Sequence, residues 1–188
     1  MLGFRPSSRK KRRKKSLAVN DVLVQRAIED SADFIEPHLK GAMLIRRVDE
    51  IRGFAIDRAP AEGLLLELGV FEGVGINFFA ERLAKRGDRR TIHGFDAFEG
   101  LAEDWYGKFL TAGGKFDRKG RPPKVRANVD LVIGWVEDTL GPFLERHADP
   151  VAFVPVATAS YHHTRDALPV LKPPLAPGAV VLFDEPDA

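Results

Sequence analysis

The chain has no cysteine among its 188 residues. Disulfides and thiolate metal sites are thereby excluded, and a reducing, cytoplasmic setting is the expectation. No apolar run reaches the ~18 residues of a membrane-spanning helix, and none of signal-peptide length follows the N-terminus. Acidic residues are missing from residues 1–16, which hold Arg5 and the unbroken run Arg9-Lys10-Lys11-Arg12-Arg13-Lys14-Lys15. That tail carries +8 within a net charge of +2, so the remaining body carries −6. Residues 1–16 are expected to be a disordered basic tail with weak affinity for polyanions.

Beyond the tail, 44% hydrophobic and 30% charged residues suit a globular protein of one-domain length. Leu23, Val24, Ala27, Ile28, Phe34, Ile35 and Leu39 recur at three-to-four spacing, predicting an amphipathic helix or helix pair. Leu44, Val48, Ile51 and Ala55 predict another helix, ending before Pro60. Residues 17–60 are thus read as N-terminal helices, and residues 61–188 as the main domain. There, strands are expected at 64–70, 91–96, 129–133, 151–156 and 179–183, with helices at about 75–86, around Leu140, Phe143 and Leu144, and near 164–171. This alternation reads as an α/β fold with a parallel sheet. Residues 97–128 are too long for a simple connection and are expected to form a lid or an insert.

The most informative stretch is residues 63–79, GLLLELGVFEGVGINFF. An apolar strand ends in Glu67, glycines follow at Gly69, Gly73 and Gly75, and a helical pattern begins. Such a turn lets backbone N–H groups approach a ligand closely. The spacing E-x-G-x-x-x-G is neither the dinucleotide pattern nor the phosphate loop. It suits S-adenosylmethionine, which has no phosphate to cradle, although a glycine turn without any ligand gives the same pattern. Asp96 ends the second strand, where a carboxylate can accept ribose hydroxyls or simply cap a turn. Trp135 and Val136 follow the third strand, placed to pack on adenine or to fill the core.

Four segments in order, ELGVFEGVGINF (67–78), GFDAFEGLAEDW (94–105), GWVEDTLGPFLERH (134–147) and LKPPLAPGAVVLFDE (171–185), carry a family resemblance. The chain resembles the bacterial class I S-adenosylmethionine-dependent methyltransferases related to macrocin O-methyltransferase, over about residues 44–185. The resemblance implies a Rossmann-like parallel sheet and methylation of a hydroxyl on a small-molecule acceptor. It implies a cofactor site at Glu67, Gly69, Gly73, Asp96, Trp135 and Val136, with Phe98, Glu99 and Gly100 supporting it. It also implies Mg²⁺, for which Asp184 and Glu185 are the candidate ligands and the candidate catalytic residues.

Three departures qualify this. Where the family reads HIDxDLYSST, this chain reads PVATASYHHT (155–164), so Ala157 and Ala159 replace oxygen ligands and the metal site is expected to be impaired. Adjacent His162 and His163 point apart on a helix and are not expected to replace it. Pro155 and Pro169 fall inside a strand and a helix, where each removes a hydrogen bond. The family fold has two further strands, so the chain is expected to be a truncated or degenerate member, or a fragment. Strand 179–183 would then be an apolar edge, open to a homo-oligomeric partner.

Overall fold

The computed structural model describes residues 18–101, 116–158 and 161–183. The chain divides into two compact units, with the boundary between Leu44 and Ile45. The first contains helix α1 (Val19–Ile35) and a 3-10 turn (Glu36–His38). Asp21 opens α1 by accepting the Ala18 N–H (3.0 Å), which satisfies one of the orphan donors at a helix start. Pro37 sits in the first turn of the 3-10 segment, where its missing N–H costs nothing.

The second unit runs α2 (Val48–Ile56), β1 (Leu64–Leu68), α3 (Val74–Lys85), β2 (Ile92–Asp96), β3 (Val129–Ile133), α4 (Val136–Arg146), β4 (Val151–Val156), α5 (Tyr161–Leu171) and β5 (Leu175–Phe183). All neighbouring strands are parallel, in the order β3-β2-β1-β4-β5. The expected α/β sheet of five strands is therefore present, with β1 at its centre. Strands β1 and β4 are buried along their whole length, as their unbroken apolar runs require of strands covered on both faces.

Alternation along β1 sends Leu65 to one face, against Ile56, Ile76, Phe79 and Leu83 of α2 and α3. Leu64, Leu66 and Leu68 face the other side, among Leu140, Phe143, Ala167 and Leu171 of α4 and α5. Burying each such side chain contributes roughly 1.5–3 kcal/mol. Phe79 meets Phe153 of β4 edge-on, with ring centroids 5.0 Å apart.

The differences from the sequence reading have local causes. Strand β1 stops at Leu68 because Gly69 turns left-handed (φ +86°) and gives its N–H to the Phe95 carbonyl (2.9 Å). Strand β5 begins at Leu175, since the pairing jumps from Val151↔Leu175 to Phe153↔Val180. The Pro177-Gly178 pair, a turn signal in sequence, is absorbed in that irregularity, with Gly178 at φ +77°. Strand β4 and helix α5 both form despite their prolines. The Ala157 N–H donates to the Leu68 carbonyl (2.8 Å), so two residues earlier the Pro155 nitrogen also faces β1, without a proton to give. The direct β1–β4 pairs, Leu65↔Phe153 and Leu68↔Val156, flank that gap.

An ion network braces the turn that precedes β1. Arg90 bonds Asp88 (2.7 Å) and the carbonyls of Pro60 and Gly63, while Arg86 bonds Asp88 (2.9 Å) and the Ile56 carbonyl. The Arg90 guanidinium holds the Asp88 carboxyl well below the usual carboxylate range, opposed by burial and helped by Arg86. A carboxyl depressed in the folded state stabilises above its unfolded pKa of about 4, and that contribution is lost as pH falls. Asp88→Asn is expected to cost about 1–3 kcal/mol at neutral pH, with the difference from the parent shrinking in acid. Thermal unfolding at two pH values checks this, and an equal deficit at both would contradict it.

A cleft at the carboxyl edge of the sheet

The register pairs Glu67 with Gly94 and Leu68 with Phe95, so Glu67 and Asp96 end neighbouring strands. Beyond these ends lies an open cleft. It opens at the carboxyl ends of the strands, where ligands bind in open α/β sheets. Gly69, Phe71, Asp96, Trp135, Val136 and His163 are among its lining residues, with Phe116, Ala157 and Thr158.

Four of the expected cofactor residues, Gly69, Asp96, Trp135 and Val136, are thus brought together around one space. Glu67 and Gly73 are not in its lining. Glu67 is only 3% exposed, and a Cβ on Gly75 would stand 2.5 Å from its Oε1. The carboxylate therefore lies against the first turn of α3, where the helix dipole favours negative charge. Gly73 is the N-cap of α3, left-handed at φ +78°, with its Cα side against the Pro123 ring. Both residues shape the turn beneath the cleft.

Asp96 is the most heavily bonded side chain at the site. Its Oδ2 accepts the N–H groups of Val70 (2.8 Å) and Phe71 (2.7 Å), and its Oδ1 accepts that of Phe98 (2.7 Å). Its own carbonyl accepts the Gly134 N–H (3.1 Å), tying the β3–α4 turn to the end of β2. Trp135 then serves as N-cap of α4, and its carbonyl accepts the N–H and the Oγ1 hydroxyl of Thr139. Glu137 and Asp138 occupy the positive end of that helix.

The opposite wall is built by α5. The His163 ring lies 5.7 Å from the Trp135 ring, and its Nε2 is 3.7 Å from Glu137 Oε1. Thr158, at the end of β4, shares a 2.9 Å hydroxyl hydrogen bond with Thr164.

Of the long 97–128 connection, residues 102–115 lie outside the described residues. The remainder is tied down: Phe98 is buried and its carbonyl accepts from Arg118 and Gly120, while Asn77 of α3 bonds Lys124 and Arg126. Phe98, Glu99 and Gly100 thus carry the turn expected of them, with Glu99 bridging to Asp117.

The metal expectation fares differently. Asp184, Glu185 and Ala159 lie outside the described residues. Ala157 lines the cleft and offers no donor atom. Among the described residues no group of three or more His, Cys, Asp or Glu side chains could hold a metal ion. Those residues do not fit Mg²⁺, which takes octahedral oxygen coordination, and no step is derived through it. Nor is any helix among them long and apolar enough to cross a membrane.

Phe71, Phe116, Thr158 and His163 were not legible as site residues. The left-handed backbone of Phe71 (φ +47°) has no sequence signal, and His163 looks in sequence only like half of a poor metal pair.

Comparison with known proteins agrees with this geometry. The structure of the calicheamicin methyltransferase CalS11 matches with a TM-score of 0.55 and 20% identity, covering 93% of this chain and 83% of that one. The apo structure of CalS11, described as a TDP-rhamnose 3′-O-methyltransferase, matches at TM-score 0.51 and 23% identity, covering 92% and 81%. The O-methyltransferase NovP matches at TM-score 0.52 and 19% identity, covering 68% and 60%. These likenesses concern the fold. No curated protein matches the sequence. The family model for a methyltransferase domain matches residues 66–185, more than half of the chain, so the protein belongs to the methyltransferase domain family.

Proposed function

We propose that the chain is an S-adenosylmethionine-dependent O-methyltransferase of the macrocin type, acting on a small-molecule hydroxyl. The observation that carries this is the cleft at the carboxyl edge, where the glycine turn, Asp96 and the Trp135-Val136 turn converge. The lining fits the cofactor: aromatic side chains from Phe71, Phe116 and Trp135 suit an adenine ring and a cationic sulfonium. Gly69, Trp135 and Val136 would hold it, with Asp96 at the end of β2 beside them. Glu67 and Gly73 support the turn from below. When bound, S-adenosylmethionine supplies a methyl carbon carried on a sulfonium.

The chain's own task is then to orient an acceptor and to take its proton. Asp96 and His163 are the titratable side chains in the cleft lining among the described residues. Asp96 already accepts three backbone N–H groups. His163 is therefore the residue placed to act as general base, its ring oriented by Trp135 and Glu137. The acceptor named for one structural neighbour, TDP-rhamnose, makes a sugar hydroxyl the first class to try.

Calorimetric titration with S-adenosylhomocysteine, with and without Mg²⁺, tests the cofactor reading. One site per chain is expected, with the same affinity in both conditions. Absence of binding would contradict the cofactor reading, and binding only with Mg²⁺ would show that a metal site exists after all. Ala157→Asp is expected to add an oxygen donor to the cleft and to increase Mg²⁺ affinity.

A further inference from the structure

The bonds of Asp96 point away from a simple ligand role. A carboxylate offers about four lone-pair positions, and three are occupied by the N–H groups of Val70, Phe71 and Phe98. Two of those donors belong to phenylalanines in left-handed conformation, Phe71 at φ +47° and Phe98 at φ +58°. Bulky residues persist there only where surrounding bonds over-determine the backbone. One carboxylate supplies such bonds to both.

Each phenylalanine then positions one side of the cleft. The Phe71 ring lies in the lining and meets Phe116 edge-on, with centroids 5.2 Å apart and planes at 83°. Phe98 is buried at 1% exposure, and its carbonyl accepts the N–H groups of Arg118 (3.0 Å) and Gly120 (2.9 Å). It thereby anchors the segment that carries Phe116 to the cleft. We infer that Asp96 is a positioning residue: it clamps left-handed Phe71 and Phe98 so that the Phe71–Phe116 pair forms the wall receiving the cofactor's nucleoside half, and it does not ligate both ribose hydroxyls. The inference rests on the cofactor reading above.

The two roles separate in a binding cycle. S-adenosylhomocysteine and its 2′,3′-dideoxy analogue are titrated into the parent chain and into Asp96→Asn. A clamp loses affinity for both ligands by the same factor, about tenfold or more, the two factors agreeing within about twofold. A ribose ligand loses affinity for the hydroxylated compound alone, and that result would overturn the inference, as would unchanged affinity for both. Phe71→Gly provides a second line that does not depend on the folding of Asp96→Asn. Glycine accepts the left-handed backbone and leaves the Asp96 carboxylate in place, so weaker binding is expected from loss of the ring alone. Unchanged binding by Phe71→Gly would overturn the wall that the clamp is inferred to build. Failure of the parent chain to bind S-adenosylhomocysteine would instead overturn the cofactor reading, and the inference with it.

Discussion

Gly69→Ala is expected to destabilise the protein by roughly 2–5 kcal/mol and to abolish cofactor binding. Two causes add. The backbone is left-handed at φ +86°, which costs an L-residue about 1–2 kcal/mol. A Cβ there would also stand 2.3 Å from the Ala157 carbonyl oxygen and 2.7 Å from its carbon. These are backbone atoms at the end of buried β4, where no flexible side chain can swing aside, so overpacking adds roughly 1–3 kcal/mol. Relief requires β1 and β4 to separate at the edge where the cleft opens. The control is Gly87→Ala, left-handed at φ +76° but with nothing within 4 Å of the added carbon. It carries only the backbone term. Melting temperatures of the two variants decide the matter: Gly69→Ala should fall on the order of 10 °C, about twice the shift of the control. Equal shifts would show that the approach to Ala157 is not tight.

His163→Ala is expected to lower methyl transfer by about 10²–10⁴-fold while leaving S-adenosylhomocysteine affinity close to that of the parent. The side chain is 14% exposed and lines the cleft beside Trp135, but it stands on α5, away from the glycine turn. Its loss removes the proton acceptor without touching the bonds that hold residues 69–71. Release of S-adenosylhomocysteine, followed across a panel of sugar and phenolic hydroxyls, reads the effect. Undiminished turnover would place the base elsewhere. Glu137→Gln should give a smaller loss, because Glu137 acts on the ring from 3.7 Å and is itself well solvated.

The strands were legible because the physics that forms them is local. Leu64-Leu65-Leu66 and Val151-Ala152-Phe153-Val154 are short apolar runs that only a doubly covered strand can bury. The neighbouring placement of Glu67 and Asp96 follows instead from the strand order of the Rossmann-like sheet that the family resemblance implies, and β1 does pair with β2. Strand β5 starts at Leu175 rather than at residue 179 because the pairing register tolerates extra residues around Pro177-Gly178. Within the site, residue types at strand ends were readable and their partners were not. Asp96 was found by position, but its bonds to Val70, Phe71 and Phe98 depend on where the chain returns in space. Glu67 was placed on the cofactor by resemblance; its buried carboxylate lies against Gly75, a neighbour that the sequence pattern does not reveal.

Hydrogen exchange with and without S-adenosylhomocysteine tests most directly whether the carboxyl-edge cleft is the cofactor site. Binding is expected to slow exchange at residues 69–71, 96–101, 134–136 and 157–158, four of the backbone segments that line the cleft. Amides at the far end of the sheet, such as those of Ala148 and Asp149, should be unaffected. Protection confined to segments away from these four, or none at saturating ligand, would contradict the assignment.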